Sequence, residues 1–139
     1  MNIDGFKRGI VIDHITCGNG MQIYRHLHLD ELSCSVAIIK NVKSNKMERK
    51  DIIKIDDLID IDFDIVGFID PNVTINIIED GKIIEKKKLS LPERVVDVIK
   101  CRNPRCITTA EPSLTQIFCL TDEGDRKTYR CFYCEAERR

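Results

Sequence analysis

Four cysteines near the C-terminal end are spaced for metal chemistry: Cys101-x4-Cys106, then 24 intervening residues, then Cys131-x2-Cys134. Each close pair delivers two thiolates from one tight turn, and the stretch between them folds back to complete a tetrahedron. Tetrahedral sulfur sites select zinc or iron, and a closed four-thiolate site is the usual home of a structural zinc ion. All four positions are then filled by protein, so the expected cofactor is one structural Zn2+ with no place left for a substrate. Cys131-x-x-Cys134 also reads as a redox dithiol. Such a motif belongs at the start of a helix in a βαβ unit, however, and here a second pair stands ready to complete a metal site. Cys17, Cys34 and Cys119 have no close partner and read as small buried apolar residues.

Other chemistry is missing. The chain has no G-x-x-x-x-G-K-[ST] loop, no G-x-G-x-x-G after a strand, no G-x-S-x-G and no H-E-x-x-H. The histidines are His14, His26 and His28; the last pair lies two apart on an expected helix, faces different ways and cannot share a metal. The reading is therefore of a protein that is not an enzyme.

The metal turns need a scaffold to position them. Apolar residues make up 42% and charged residues 32%, which is the balance of a folded soluble chain and not a disordered one. A net charge of −1 and a pI near 6.3 argue against non-specific nucleic-acid binding, which needs a broad basic field. The start, Met1 to Arg8, lacks an apolar stretch ahead of a cleavage site, and the longest apolar runs fall far short of the ~20 residues a membrane span needs. Seven cysteines without an export signal point to reduced thiols and a cytoplasmic location.

Gly9 to Ile15 is β-branched and reads as a strand running into the turn Cys17-Gly18-Asn19-Gly20. Met21, Tyr24 and Leu27 fall at helical spacing and predict a helix from Gly20 to Leu29. Ser33 to Val42 and Met47 to Ile55 read as a hairpin around Lys43-Ser44-Asn45-Lys46. From Asp56 to Asp70, Leu58, Ile61, Ile65 and Phe68 step by three or four and favour a second helix, ended by Pro71-Asn72. Val73 to Ile78 and Ile83 to Lys88 flank Asp80-Gly81, a strong signal for a type I′ hairpin. The order β-α-β-β-α-β plus one strand is the split βαβ, or ferredoxin-like, arrangement. The fold class is thus α+β. A ferredoxin-like domain occupies residues 1–91, with Ser90-Leu91-Pro92-Glu93 as the linker, and a small all-β zinc domain occupies 92–139. The second piece is too short to bury a sufficient core alone, so zinc binding and folding should be one event there.

The motifs taken together resemble one family. Lys7-Arg8-Gly9-Ile10-Val11-Ile12-Asp13-His14-Ile15 is similar to the opening of the regulatory chain of aspartate carbamoyltransferase. Arg49-Lys50-Asp51-Ile52-Ile53-Lys54-Ile55, Val73-Thr74-Ile75-Asn76 and Leu89-Ser90-Leu91-Pro92-Glu93-Arg94 follow in the family's order. Cys101-x-Asn103-Pro104-x-Cys106-Ile107, Ala110-Glu111-Pro112 and Cys131-x-Tyr133-Cys134-Glu135 complete the set, so the resemblance spans nearly the whole chain.

The resemblance implies a non-catalytic subunit of de novo pyrimidine biosynthesis. Its N-terminal domain would bind nucleoside triphosphate effectors, with ATP activating and CTP and UTP inhibiting, and would pair with a second regulatory chain. Its zinc domain would dock on the catalytic chain through Asn103, Arg105, Tyr133 and Glu135, with Arg105 meeting a carboxylate. The matching effector positions are Asp13, His14, Lys50, Lys54, Asn76 and Lys86, with Val11, Ile78 and Ile83 lining the base. Lysines suit a triphosphate bound without a P-loop, because each is a mobile point charge, and Asp13 can accept from a ribose hydroxyl. Family members commonly carry a larger side chain where this chain has Gly81, so base discrimination there rests on backbone.

Two other readings compete. A zinc-ribbon nucleic-acid binder would use Arg126, Lys127, Arg130, Arg138 and Arg139, but the chain is slightly acidic and lacks an aromatic stacking platform. A small-molecule sensor of another pathway would respond to a ligand such as an amino acid and not to nucleotides.

Overall fold

A computed structural model describes residues 7–45 and 48–138. Lys46 and Met47, the expected end of a turn and start of a strand, lie outside the described residues, as do residues 1–6 at the chain start and Arg139 of the basic set. The chain divides into two compact units, Met1–Ser90 and Leu91–Arg139.

The first unit runs β1 (Arg8–Thr16), α1 (Gly20–His26), β2 (Val36–Lys43), β3 (Arg49–Ile55), α2 (Phe63–Ile69), β4 (Thr74–Glu79) and β5 (Lys82–Lys88). Its sheet has the order β2-β3-β1-β4-β5, and every neighbouring pair is antiparallel. Alternation along the strands decides which residues are buried under the helices. Ile10 and Ile12 of β1, Ile53 and Ile55 of β3 and Ile75 of β4 share one core with Ile23 of α1 and Val66 of α2. The intervening positions Val11, Ile52 and Ile78 form a separate small apolar cluster on the other face. Strands β1 and β3 approach closely at Gly9, where an added Cβ would lie 2.4 Å from the Ile55 carbonyl oxygen.

Several expected elements are shorter than the pattern suggested. The helix from Gly20 stops at His26, because His28 turns left-handed (φ 54°) and a 3-10 turn, Leu29–Glu31, follows. β2 starts at Val36, not Ser33. The second helix covers only Phe63–Ile69 of the expected 56–70 span. Asp62 caps it, its Oδ1 accepting from the N–H groups of Asp64 and Ile65 at 3.0 and 3.3 Å. Upstream, the Asp57 carboxylate accepts the Leu58 N–H at 2.8 Å, a local bond that competes with helix formation. Leu58, Ile59 and Ile61 still pack on the core, so their spacing reflects burial by an irregular segment. The β4–β5 turn has positive φ at both Asp80 (52°) and Gly81 (74°), as a type I′ hairpin needs.

The second unit runs β6 (Arg94–Val96), α3 (Ile107–Ala110), β7 (Ile117–Asp122), β8 (Lys127–Cys131) and β9 (Glu137–Arg138), with sheet order β6-β7-β8-β9. The four-residue α3 departs from the expected all-β character. The unit's buried apolar set among the described residues is small: Val95, Phe118, Tyr129, Cys106 and Cys131. Tyr129 donates its hydroxyl to the Pro92 carbonyl at 2.6 Å. The molecule is thus mostly sheet, in two separate sheets with few helices. Among the described residues no helix is long and apolar enough to cross a membrane.

Candidate metal centre and effector face

The first metal turn is shaped by Asn103. Its side-chain oxygen accepts the Arg105 N–H at 3.1 Å, and its carbonyl accepts the Cys106 N–H at 3.1 Å and the Thr109 hydroxyl at 3.0 Å. Cys106 then begins α3. The second turn closes when the Glu135 N–H donates to the Cys131 carbonyl at 2.8 Å, with Glu135 left-handed at φ 64°. Arg130 stabilises that turn by donating to the Glu135 carbonyl at 3.0 Å. Pairing of Phe118 with Cys131 and the bond from the Cys101 N–H to Gln116 Oε1 (3.0 Å) bring the two turns together.

The four sulfur atoms lie within 4.8 Å of one another. Cys101 Sγ is 3.6 Å from Cys134 Sγ, and Cys106 Sγ is 3.8 Å from Cys131 Sγ. Four thiolates at a zinc–sulfur distance of ~2.3 Å stand about 3.8 Å apart at the corners of a tetrahedron, so the group fits a single zinc ion. All seven cysteines are free thiols. Before any metal is considered, burial pushes the Cys101 thiol up to about 12, despite the Asn103 N–H that points at its sulfur. Burial also opposes ionisation of Cys134, but the Ala136 N–H, the Asn103 side chain and the neighbouring thiols outweigh it and hold Cys134 down to about 7. A divalent cation is what lets such a crowded set ionise together.

The residues of the metal turns expected to contact a partner divide into two kinds. Asn103 is engaged within its own turn, and the Tyr133 hydroxyl donates to the Thr115 carbonyl at 2.9 Å. Arg105 and Glu135 are exposed. Of the basic residues suggested for nucleic acid, Arg130 makes a two-point pair with Glu123 (2.7 and 3.0 Å), and Arg126 pairs with Glu137 through both of its terminal nitrogens. Arg138 donates to the Lys100 carbonyl. The Arg126 and Arg130 charges are thus paired within the protein.

In the first unit the register places four of the nine effector candidates in a single cross-strand row. Lys54 lies opposite Val11, Val11 opposite Asn76, and Asn76 opposite Lys86. Directly opposed residues share a face, and here it is the face carrying Ile52 and Ile78. One bulge in β5 puts Ile83 opposite Ile78, where it is 45% exposed. A second bulge, in β1, follows Asp13: His14 is left-handed at φ 58°, and its Nδ1 lies 3.2 Å from the Thr74 hydroxyl. Lys50 Nζ sits 2.9 Å from Asp13 Oδ1, with side chains only 10% and 14% exposed. Burial works to raise the Asp13 pKa, but the Lys50 hydrogen bond and the His14 N–H outweigh it and keep the carboxyl below its usual range. Lys86 is exposed on the edge strand, while Lys50 and Asn76 are buried. The Asn76 Oδ1 is buried with no hydrogen-bond partner among the described residues.

Some residues that matter were assigned no role from sequence. Asp51 is fully buried and accepts the N–H groups of Gly18 and Gly20 (3.0 and 3.1 Å) and of Asn41 (2.9 Å), so it builds the turn into α1 and a bulge of β2 between Ile39 and Val42. Asp70 accepts the Thr16 N–H at 2.5 Å and the Asn72 N–H at 3.0 Å. Asp51 adjoins Lys50 in the segment Arg49 to Ile55, but nothing in its type announces burial. Cys17, expected to be buried, is exposed in the turn, its Sγ 3.6 Å from Asn41 Oδ1. Cys34 does pack against the core.

Fold and site together define a two-unit α+β protein with a closed structural metal centre in its smaller unit. Comparison with known proteins makes the assignment particular. Residues 1–90 match the family model for the allosteric domain of the aspartate carbamoyltransferase regulatory chain, and residues 93–139 match the model for its metal-binding domain. The chain is 52% identical over 136 residues to the aspartate carbamoyltransferase regulatory chain of Clostridium tetani, covering 97% of this chain and 94% of that one. It is 48% identical over 135 residues to the regulatory chain of Clostridium botulinum strain Hall (97% and 92% covered). Against that of Bifidobacterium longum it is 43% identical over 137 residues (99% and 98% covered). The chain belongs to the family of aspartate carbamoyltransferase regulatory chains, a regulatory and non-catalytic subunit, and the metal its four cysteines suit is zinc in this family.

Proposed function

We propose that this chain binds nucleoside triphosphate effectors on the helix-free face of its first unit and docks through its zinc unit on the catalytic chain of aspartate carbamoyltransferase. The strand order β2-β3-β1-β4, all antiparallel with two crossing helices, supports reading that unit as a ferredoxin-like, split βαβ domain. The observation that carries the effector reading is the row Lys54–Val11–Asn76–Lys86, in which a buried amide oxygen without a partner among the described residues lies between an apolar residue and a cation. Lys54, Lys86 and Lys50 supply charge for the phosphates, Asp13 accepts from a ribose hydroxyl beside His14, and Val11, Ile78 and Ile83 offer an apolar seat for the base. Lys50 is already paired with Asp13, so a phosphate competes with a carboxylate for it.

CTP and UTP act as inhibitors and ATP as activator in this reading. Each shifts the balance between two quaternary states only to the extent that it binds them unequally. A coupling of about 1–3 kcal/mol to the partner's active sites is the usual scale. The regulatory chain works in the cytoplasm as a homodimer, with Asn103, Arg105, Tyr133 and Glu135 of the metal turns toward the catalytic chain. Exposed Arg105 and Glu135 give that contact a charge of each sign.

Isothermal titration of CTP and ATP into the zinc-loaded chain tests the reading. Binding that is lost in Lys54→Ala and Lys86→Ala is the expected result. Saturable binding that survives both substitutions would place the nucleotide elsewhere.

A further inference from the structure

Each thiolate of a metal centre carries charge into a partly dry site, so each needs a hydrogen-bond donor in addition to the metal. Backbone N–H groups serve Cys101, Cys131 and Cys134. Cys101 receives the Asn103 N–H, Cys131 those of Tyr133 and Cys134, and Cys134 that of Ala136. Cys106 has a side-chain donor: the Thr108 hydroxyl lies 3.2 Å from its Sγ. We infer that Thr108 is a positioning residue of the zinc centre, whose hydroxyl holds and charges the Cys106 sulfur as a metal ligand.

Three observations support this. Thr108 is only 3% exposed, and a buried hydroxyl needs a partner. The partner it has is sulfur, which accepts weakly as a thiol and strongly as a thiolate. The bond at 3.2 Å is therefore strongest where the sulfur is a ligand carrying charge. Finally, the geometry is locally built: Cys106 caps α3, the Thr109 N–H donates to the Cys106 carbonyl at 2.9 Å, and Thr108 is thereby turned inward while Thr109 reaches out to the Asn103 carbonyl. The neighbouring threonines are alike in type and differ in task, and only the fold distinguishes them.

The test uses the full chain with Thr108→Val, Thr108→Ala and Thr108→Ser. Loss of an outer-shell donor lowers metal affinity roughly 10- to 100-fold. Competition with a chromophoric chelator should show that loss in the valine and alanine variants, and serine should retain wild-type affinity. Cobalt(II) substitution supplies a readout that packing alone does not move. The thiolate-to-cobalt charge-transfer band should shift to lower energy in valine and alanine, whose Cys106 sulfur has lost its donor, and stay in place in serine. Should valine fail to fold, the serine–alanine pair still isolates the hydroxyl. Serine behaving like alanine would assign Thr108 to methyl packing and overturn the proposal. So would valine or alanine with wild-type affinity and an unshifted band.

Discussion

Asn76→Leu separates stability from effector binding. The residue is 7% exposed, sits on β4 opposite Val11 and Lys86, and buries an amide oxygen that has no partner among the described residues. A buried polar atom without a partner costs about 1–3 kcal/mol. Leucine has a similar volume, carries no polar atom and would face Val11 across the strands. Removal of the orphan should therefore stabilise the free chain by about 1 kcal/mol, which for a domain of this size raises Tm by roughly 4–8 °C. The same change deletes the group proposed to read the nucleotide. One lost hydrogen bond of about 1.4 kcal/mol weakens binding tenfold. Calorimetric melting of the zinc-loaded chain measures the first effect, and titration with CTP measures the second. A rise in Tm together with a weaker Kd supports the argument. A fall in Tm would mean that the amide is satisfied in solution, and unchanged CTP binding would mean that the ligand does not meet Asn76. Either result refutes the reasoning.

Two further outcomes follow from the metal centre and its hairpin. A structural zinc contributes about 10–16 kcal/mol, as much as the whole stability of a typical domain at about 5–15 kcal/mol, and the second unit buries few apolar side chains. Stripping zinc with a mercurial and a chelator should abolish hydrogen-exchange protection in β7 and β8 and leave β1 and β3 protected; protection lost equally in both units would contradict it. Glu123 is held down to about 2, first by the two-point hydrogen bond from Arg130 and then by the Thr121 hydroxyl. Its folded pKa lies below the unfolded value of ~4.3, so its contribution is present above that value and disappears as pH falls through about 2. A carboxyl NMR titration placing Glu123 near 4 would remove this contribution.

The zinc ligands were legible because their signal is chemical and local: a cysteine pair needs only one turn, and the residue type nearly fixes the metal. The Asp80-Gly81 hairpin was legible for a similar reason, since positive φ at two adjacent positions strongly restricts the residues that can occupy them. The segment 56–62 was misread because helical spacing of apolar residues and irregular burial of the same residues look alike in one dimension. Asp57 and Asp62, which hydrogen-bond their own following backbone, decide between them. Cys17 was misread because a cysteine's burial depends on what packs over it.

The sequence by itself determined the thiolates by type and spacing and the hairpin by its turn residues, and it proposed the lysines and Asp13 by resemblance. Tertiary structure alone decided which of them meet. Strand register, which sequence does not print, aligned Lys54, Val11, Asn76 and Lys86 across four strands and left the Asn76 oxygen unpaired. It also turned Thr108 toward a sulfur and Thr109 away from it. Chemistry lies in side-chain identity and is written one residue at a time. Juxtaposition arises from long-range pairing, and only the folded chain contains it.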